Sequence, residues 1–396
     1  MRVFQILEFN QFDTGSVHQM FQAAAGLRER GHDVTIVSRP GAAMAGRAAE
    51  ADVKFVAMPL RNEFDPVSLA KMIRLFRREK PDVVHVHKGI AHSLALAAAY
   101  VAPVGALVVN RGVSFPLDRW NGAKFRARRV DRVVTVCEAI KRVIVESGRL
   151  PPEKVAVVYA GTDTTLFDPE KWDARAFRAE KAIGDDRFLV VQVGVRDWKG
   201  WMELIDAVMA ESRRRLDGRN GGVSPPGAGT APIRPAGTPA RRAPDIHLAL
   251  IGCRHERERA EVLAFVRARG AAERVTLVEV RTDMPNVLAA ADLVVDASWA
   301  GTGITGTIRE AMAMRKPIVA TDCGGNRELV SSPDVGWLIA PRDVAALTNA
   351  IAEVIDRPER AAEVARNARA HVERGFSKEL RIARLETLYA DVLRRR

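Results

Sequence analysis

The chain has 396 residues, of which 47% are hydrophobic, and it carries a formal net charge of +12 at pH 7. Chains longer than about 250–300 residues usually divide, so we expect two domains with sizeable cores. Three cysteines fit neither a disulfide framework nor a zinc site, which favours a reducing compartment. The start of the chain has the pattern of a β-strand rather than a signal peptide, and the uncharged run 93–110 contains Pro103. We therefore expect a cytoplasmic protein without a transmembrane span.

The positive charge is compatible with nucleic acid, an anionic membrane or phosphorylated substrates as partners. The densest basic segment, residues 119–129, places Trp120 and Phe125 among its cations, as membrane-surface segments do. The same pattern is typical of a solvated helix face, and both interpretations stay open. No segment has the pattern of a nucleic-acid-binding module, so we predict no nucleic-acid partner.

Strand and helix patterns alternate along the first half of the chain. Apolar strands are predicted at 3–7, 33–37, 53–58, 82–87, 106–109, 132–136 and 155–159, and helices at 15–30, 66–80, 91–100 and 140–147. Apolar strands that alternate with helices predict an α/β fold, in which a doubly wound parallel sheet carries helices on both faces.

A second set of the same kind follows a polar connection at 160–185. Its strands are predicted at 188–193, 246–251, 275–280, 293–295 and 317–320, and its helices at 201–211, 256–269, 284–290, 308–314, 344–355, 360–374 and 378–393. We predict domains at 1–165 and 166–376, with a terminal segment at 377–396. Residues 217–244 are rich in Gly, Pro, Ala and Arg without an apolar period, which predicts a disordered insertion.

One strand-to-helix turn, residues 300–307, contains three glycines and leads into a helix that carries Glu310. Glycine lets the backbone approach a ligand closely, and the free N–H groups at a helix start favour an anion. A carboxylate beside an anion cradle suits a sugar nucleotide, with phosphates on the amides and the ribose on Glu310. A tight turn that packs a helix on a sheet, with Glu310 solvated, is the alternative.

Several motifs resemble those of the family-4 glycosyltransferases, which are retaining group 1 enzymes of the GT-B fold. They are Thr14-Gly15-Ser16-Val17-His18, Pro81-Asp82-Val83-Val84-His85-Val86-His87, Val136-Cys137-Glu138, Tyr159-Ala160-Gly161-Thr162-Asp163, Phe167-Asp168-Pro169, Arg196-Asp197-Trp198-Lys199-Gly200, Glu310-Ala311-Met312-Ala313, Pro317-Ile318-Val319-Ala320-Thr321-Asp322 and Gly324-Gly325-Asn326-Arg327-Glu328. Their order and spacing match the family over nearly the whole chain, apart from the insertion. The resemblance implies two Rossmann-like domains facing a cleft, with a terminal helix that crosses back to the first domain.

The resemblance also implies transfer of a sugar from a nucleoside diphosphate sugar, during which negative charge builds on the leaving diphosphate. Arg196 and Lys199 are expected to stabilise that charge as catalytic residues, together with the Thr305 hydroxyl and neighbouring amides. Arg281 is expected to touch the base through backbone groups. The donor-binding candidates are Gly15, Ser16, Arg196, Lys199, Arg281, Thr302, Gly303, Ile304, Thr305 and Glu310. Because the clamp is cationic, we expect neither a metal nor another cofactor.

The chain departs from the family pattern in several places, among them the short spacing from Arg196 to Lys199, and two further departures bear on the candidate residues. The family signature has a first Glu eight positions before the second, and this chain has Thr302 there. A His that often follows an apolar strand of the first domain is replaced in Asn110-Arg111-Gly112. His87, near the carboxyl end of its strand and on the same face as His85, is a catalytic candidate on the acceptor side, and a structural histidine is the alternative. Arg111 and His18 are further candidates for the acceptor side.

We predict a glycosyltransferase that acts on a glycan or lipid-linked acceptor in cell-envelope polysaccharide or lipopolysaccharide synthesis, peripherally at the inner membrane face. A protein of this fold that binds a sugar nucleotide without turnover stays open because of Thr302. An NAD-dependent oxidoreductase would need Gly-x-Gly-x-x-Gly after the first strand, which residues 7–15 lack. An exported two-lobed sugar-binding protein would need a signal peptide.

Overall fold

The computed structural model describes residues 1–12, 14–220, 244–301 and 303–395, with side chains throughout except at 218–220. Every strand pairs in parallel. The strands are β1 (Arg2–Leu7), β2 (Asp33–Ser38), β3 (Lys54–Ala57), β4 (Val83–Val86), β5 (Ala106–Arg111), β6 (Arg132–Thr135), β7 (Val155–Val157), β8 (Arg187–Val193), β9 (Asp245–Cys253), β10 (Val275–Glu279), β11 (Leu293–Asp296), β12 (Ile318–Thr321) and β13 (Trp337–Ile339).

Helices connect these strands and complete the chain. They are α1 (Gly15–Glu29), α2 (Ala42–Glu50), α3 (Pro66–Glu79), α4 (Gly89–Val101), α5 (Arg119–Arg126), α6 (Glu138–Gly148), α7 (Ala174–Glu180), α8 (Trp201–Asn220), α9 (Glu256–Ala268), α10 (Met284–Ala290), α11 (Gly306–Ala313), α12 (Asn326–Leu329), α13 (Val344–Asp356), α14 (Pro358–Gly375) and α15 (Lys378–Arg394). Short 3₁₀ turns lie at Pro152–Lys154, Pro169–Lys171 and Asp197–Lys199. None of the described helices is both long and apolar enough to cross a membrane.

The strands form two sheets, with orders β3-β2-β1-β4-β5-β6-β7 and β10-β9-β8-β11-β12-β13. We call the first sheet with its helices the N-lobe and the second the C-lobe. In each sheet the order reverses beside the first strand, between β1 and β4 and between β8 and β11. Ligands bind beyond the carboxyl ends of parallel strands at such reversals. The predicted α/β class with two doubly wound sheets is confirmed.

The last helix returns to the N-lobe, as expected. Ser377 accepts a hydrogen bond from the Leu380 amide at the start of α15. Along α15, Leu385 and Tyr389 are fully buried in the same apolar cluster as β1 and α1. A Cβ at Gly26 of α1 would clash with Ile382, so this glycine permits the two helices to approach closely.

Two chain segments cross between the lobes side by side. The Thr162 amide donates to the Phe376 carbonyl at 2.8 Å, and the Lys378 amide donates to the Thr162 carbonyl at 2.9 Å. A Cβ at Gly161 would come within 2.8 Å of the Lys378 Cα. These bonds pair the outgoing and returning strands of the connection, so the two lobes are joined at one end by a double crossing.

The insertion predicted at 217–244 begins later than expected, because α8 continues through Asn220. Tertiary pairing explains the longer helix: the buried Glu211 carboxylate accepts from Arg214 and forms an ion pair with Arg215, and both arginines also pair with Asp356 of α13. Residues 221–243, where the rest of the predicted insertion falls, lie outside the described residues, and β9 begins at Asp245.

The buried hydroxyl of Tyr389 joins α15 to the N-lobe through hydrogen bonds, and a substitution can measure their contribution to stability. It bonds His85 Nδ1 at 2.6 Å and accepts from Gln5 Nε2 at 3.2 Å, all three groups being buried. We expect Tyr389→Phe to lower the free energy of unfolding by about 1–3 kcal/mol, because it leaves two buried polar atoms unpaired. Urea unfolding measures this loss. Tyr100→Phe, at an exposed tyrosine, is the matched control and should change little; equal effects of the two changes would contradict the role of the buried hydroxyl.

Candidate active site

A cleft of about 510 Å³ lies between the lobes, where the carboxyl ends of the two sheets face each other. Predicted site residues of both lobes line it. They are Gly15, Ser16, His18, His87 and Arg111 from the N-lobe, and Arg196, Arg281, Ile304 and Glu310 from the C-lobe. Lys199, Gly303 and Thr305 lie behind this lining, and Thr302 lies outside the described residues.

The loop after β8 folds tightly because two glycines permit it. Gly194 and Gly200 have φ values of +100° and +65°, and a Cβ on Gly200 would clash with the Ala297 carbonyl. The Gln192 side chain donates to the Lys199 carbonyl at 3.0 Å and accepts from the Ala297 amide at 3.1 Å. The loop is thereby fixed on the end of β11 and presents Arg196 to the cleft.

Lys199 is held by a buried carboxylate at the end of β11. Its Nζ lies 3.4 Å from Asp296 Oδ1, while Asp296 also accepts from the Thr305 hydroxyl at 2.6 Å and from Asn326 Nδ2 at 3.0 Å. Burial acts to raise the pKa of Asp296, but the Lys199 charge and these bonds hold it below its ordinary value. In this structure the Thr305 hydroxyl therefore serves the network under the turn, and its role toward a donor phosphate stays a prediction.

Gly303 brings the lobes into contact rather than leaving an open cradle. A Cβ there would lie 2.9 Å from Val136 Cγ2 and 3.1 Å from the Gly112 carbonyl, both in the N-lobe. Nearby, the Glu328 carboxylate accepts from the Glu138 and Ala139 amides at 2.8 Å each, at the start of α6. A carboxylate at a helix N-terminus is stabilised by the helix dipole. These contacts close one rim of the cleft.

Glu310, in the second turn of α11, is the only carboxylate among the described residues that line the cleft. It makes no hydrogen bond or ion pair with another described side chain. Burial raises the pKa of Glu310, and the Arg309 charge offsets part of that shift. A half-buried carboxylate without a partner among the described side chains can accept hydrogen bonds from ligand hydroxyls, and its role toward a ribose stays a prediction.

Arg281 lines the cleft, but its guanidinium is already engaged. Nη1 lies 2.6 Å from Glu180 Oε1, and Nη2 lies 2.6 Å from Asp283 Oδ2. Asp283 occupies the N-cap position of α10 without capping it through its side chain. The Arg281 side chain is therefore already paired with two carboxylates, and the contact of this turn's backbone with a base stays a prediction.

On the N-lobe side, α1 begins at Gly15, after Thr14, whose side chain does not cap the helix. A Cβ on Gly15 would meet nothing within 4 Å, so packing within the protein does not require glycine there. Thr14, Gly15 and Ser16 all line the cleft. The start of α1 thus offers an uncapped helix N-terminus to an anionic ligand.

His87 is buried at the end of β4, and its Nε2 lies 2.6 Å from Gln5 Oε1. Because that oxygen accepts, Nε2 carries the proton and Nδ1 remains an acceptor. The His85 and His87 rings lie 4.3 Å apart, which confirms that they share one face of the sheet. Burial, with the nearby His85 and Arg381, lowers the pKa of His87 well below its ordinary value. A neutral His87 can accept a proton, while its catalytic role stays a prediction.

Cations outnumber acids in the cleft. Lys88 and Arg111 of the N-lobe lie near Arg196 of the C-lobe. Burial lowers the pKa of Lys88, and the charges of Arg111 and Arg196 lower it further. The Glu8 charge opposes this shift. Arg309 and Arg381 also line the cleft. Lys88, Arg309 and Arg381 were not among the candidates from sequence. A charged residue inside the otherwise apolar start of α11 was the available signal for Arg309.

Among the described residues, no group of three or more His, Cys, Asp or Glu side chains could hold a metal ion. The expectation that no metal or cofactor takes part in the reaction rests on the cationic lining and stays a prediction.

Buried histidines around the cleft predict acid sensitivity. Burial lowers the pKa of His85 and of His92 to about 3 each, whereas an unfolded histidine has a pKa of about 6.5. Between these values the unfolded chain binds more protons than the folded one, so stability falls as pH falls. When the pH falls from 7 to 5, we expect the free energy of unfolding to fall by about 2 kcal/mol for each of these histidines. Urea unfolding at the two pH values measures this loss.

A comparison of two histidine variants shows whether the buried His92 causes this loss of stability at low pH. His92→Gln should reduce the dependence of stability on pH, whereas His255→Gln, at an exposed histidine, should leave it unchanged. An identical pH dependence in His92→Gln and the unmodified protein would show that His92 titrates normally in the folded state.

Two family models match the chain. Residues 14–166 match Glycosyltransferase Family 4, and residues 233–357 match Glycosyl transferases group 1. The chain is 24% identical over 346 residues to the UDP-Gal:alpha-D-GlcNAc-diphosphoundecaprenol alpha-1,3-galactosyltransferase of Escherichia coli, covering 83% of this chain and 80% of that protein. It is 29% identical over 285 residues to the lipopolysaccharide core biosynthesis mannosyltransferase LpsB of Rhizobium meliloti, covering 69% of each.

Solved structures share the fold at low identity. A glycosyltransferase from Rickettsia africae superposes with a TM-score of 0.83 at 17% identity, covering 99% of this chain and 98% of that one. HepE of Anabaena in complex with UDP and glucose superposes with a TM-score of 0.79 at 21% identity, covering 98% and 99%. The oxidoreductase alternative is therefore wrong. The chain belongs to the family-4, group 1 glycosyltransferases and is a glycosyltransferase of the GT-B fold.

Proposed function

We propose that the enzyme transfers a sugar, with retention of anomeric configuration, from a nucleoside diphosphate sugar to a lipid-linked or cell-envelope glycan. The observation that carries the donor assignment is the cleft itself: it combines one partnerless carboxylate, Glu310, with several cations and an uncapped helix start. The carboxylate suits ribose hydroxyls, and the cations suit a diphosphate. UDP sugars are the first donors to test, because the HepE structure contains UDP.

Cleavage of the anomeric C–O bond leaves negative charge on the diphosphate and positive charge on the sugar. Arg196, Lys88 and the start of α1 lie around the cleft where they can stabilise the leaving group electrostatically. Glu310, the only carboxylate in the described lining, is assigned to the ribose, which leaves no second carboxylate there as a nucleophile. This supports front-face attack, in which the leaving phosphate accepts the acceptor proton.

The acceptor assignment rests on the relatives and on one surface of the N-lobe. The names of two relatives specify a diphosphoundecaprenol-linked acceptor and the lipopolysaccharide core. In the basic segment 119–129, Trp120 is 60% exposed and Phe125 is buried against His92. Phe64, 79% exposed, follows Glu63, which accepts from the Trp120 indole. Exposed aromatic rings beside Arg119 and other basic residues suit an anionic membrane surface.

Glu310→Ala tests the donor site. We expect it to weaken UDP binding by about 10- to 100-fold, because hydrogen bonds from ribose hydroxyls to a charged carboxylate contribute roughly 1.5–3 kcal/mol. Isothermal titration calorimetry measures the affinity after a thermal-shift screen of UDP-, GDP- and ADP-sugars has identified the base. Glu363→Ala, on an exposed face of α14, is the matched control. Unchanged affinity of Glu310→Ala for every nucleoside diphosphate would contradict this site.

Flotation with liposomes tests the membrane surface. The unmodified protein should float with anionic vesicles at low salt and be released by high salt, because exposed charges are screened. The double variant Arg119→Gln, Arg128→Gln should float less. Its matched control, Arg366→Gln with Arg374→Gln, removes the same charge from exposed positions of α14 and should float normally. Absence of flotation at low salt would refute peripheral membrane binding.

A further inference from the structure

Two arginines in the cleft are almost completely buried, and no carboxylate of the described residues lies within ion-pairing distance of either. Arg309 of α11 is 3% exposed and Arg381 of α15 is 4% exposed. Arg309 Nη1 donates to the Thr162 hydroxyl at 3.0 Å, and Arg381 Nη1 donates to the Gln19 carbonyl at 2.8 Å. The Nε atom of each is buried without a hydrogen-bond partner. Each guanidinium thus keeps donors that the protein does not use.

Their charges are also incompletely compensated. Burial lowers the pKa of Arg309 to about 10, and the Glu310 charge partly opposes this shift. Burial lowers the pKa of Arg381 to about 10 as well; the Tyr389 hydroxyl opposes this shift, while the Arg309 charge adds to it. The other buried groups beside Arg381 are His85 and His87, whose lowered pKa values keep them neutral. Buried charges are normally paired, and the described residues supply no anion for this pair.

The two arginines come from opposite sides of the cleft. Arg309 belongs to the C-lobe, whereas Arg381 lies on the helix that packs on the N-lobe, and both line the cleft. A Cβ placed on Gly306 would lie 3.7 Å from Arg309 Nη2 and 3.8 Å from Glu310 Oε1. The free space above Gly306 is therefore bordered by a guanidinium donor and by the carboxylate assigned to the ribose.

We propose that Arg309 and Arg381 bind the donor phosphate that is attached directly to the ribose, and that they bridge the two lobes through it. This assignment rests on the proposed donor site. Because the ribose and this phosphate are covalently adjacent, a ribose on Glu310 brings the phosphate next to Arg309. Arg196 and the start of α1, at the other strand ends, are left for the outer phosphate.

Guanidinium groups bind phosphate oxygens through strong, charge-assisted hydrogen bonds. The same chemistry would also bind free inorganic phosphate, so the experiment must separate the two sources. Because both arginines bind the same phosphate, removal of either one alone should abolish most of the affinity that the pair contributes to phosphate binding.

The experiment compares uridine, UMP, UDP and inorganic phosphate as ligands of the full chain by calorimetry and competition. Arg309→Met and Arg381→Met should weaken UMP and UDP binding by the same factor, about 10- to 100-fold, and leave uridine unchanged. Arg196→Met should weaken UDP and leave UMP unchanged. If UMP and UDP bind both cleft variants with unmodified affinity, the assignment is overturned.

Arg178→Met is the matched control for loss of a buried arginine. Arg178 is 7% exposed, pairs with Asp292 at 2.7 Å and lies outside the cleft. It should lower the melting temperature, because Asp292 loses its partner, while the affinity for UMP stays unchanged. A purely structural role of Arg309 and Arg381 would give the same result as Arg178→Met, with lower stability and intact UMP binding, and would overturn the proposal.

Two further outcomes are decisive. If Arg309→Met does not fold, Arg309→Lys keeps the charge without the planar donor set and should still weaken UMP more than uridine. If inorganic phosphate stabilises the protein through these arginines while UMP binding is unaffected by their loss, the pair is a free-phosphate site and the donor assignment falls. Failure of the unmodified protein to bind any nucleotide would instead contradict the proposed function.

Discussion

The double chain crossing between the lobes is the constraint on which the site depends. Backbone bonds of Thr162 with Phe376 and Lys378 join the outgoing and returning segments. The returning segment continues into α15, whose Tyr389 and Leu385 are buried in the N-lobe core. Because both crossings lie at one end, the carboxyl ends of two independent parallel sheets face each other. Every residue of the candidate site lies on one of those ends or on a helix that starts there.

Charge is distributed unevenly across that cleft. Buried acids such as Asp296 serve internal networks, and Glu328 caps a helix of the opposite lobe. Glu310 is the one carboxylate that the described lining offers to a ligand. The arginines face the cleft with fewer partners among the described residues, so the cleft holds positive charge at the place where we propose that the donor diphosphate binds. Such preorganised charge stabilises a leaving group without reorganisation during the reaction.

The helix-strand alternation was predictable, because fully buried parallel strands need continuous apolar runs and each needs a helical crossover. The length of α8 was not, since residues beyond Glu211 are held by ion pairs with Asp356 of a distant helix. The glycines of the turn after β11 were expected to form an open cradle. Gly303 instead contacts the N-lobe, a contact that no local pattern specifies.

The sequence by itself determined the fold class, the family and the chemical types gathered in the cleft, since motif order and apolar periodicity are local properties of the chain. Only the tertiary structure decided which of these groups are free. It engages Arg281 and Lys199 with carboxylates, leaves Glu310 without a partner among the described side chains, and brings Arg381 beside Arg309 from a distant segment of the chain. Pairing of buried charges depends on distances between elements remote in sequence, and therefore follows from packing alone.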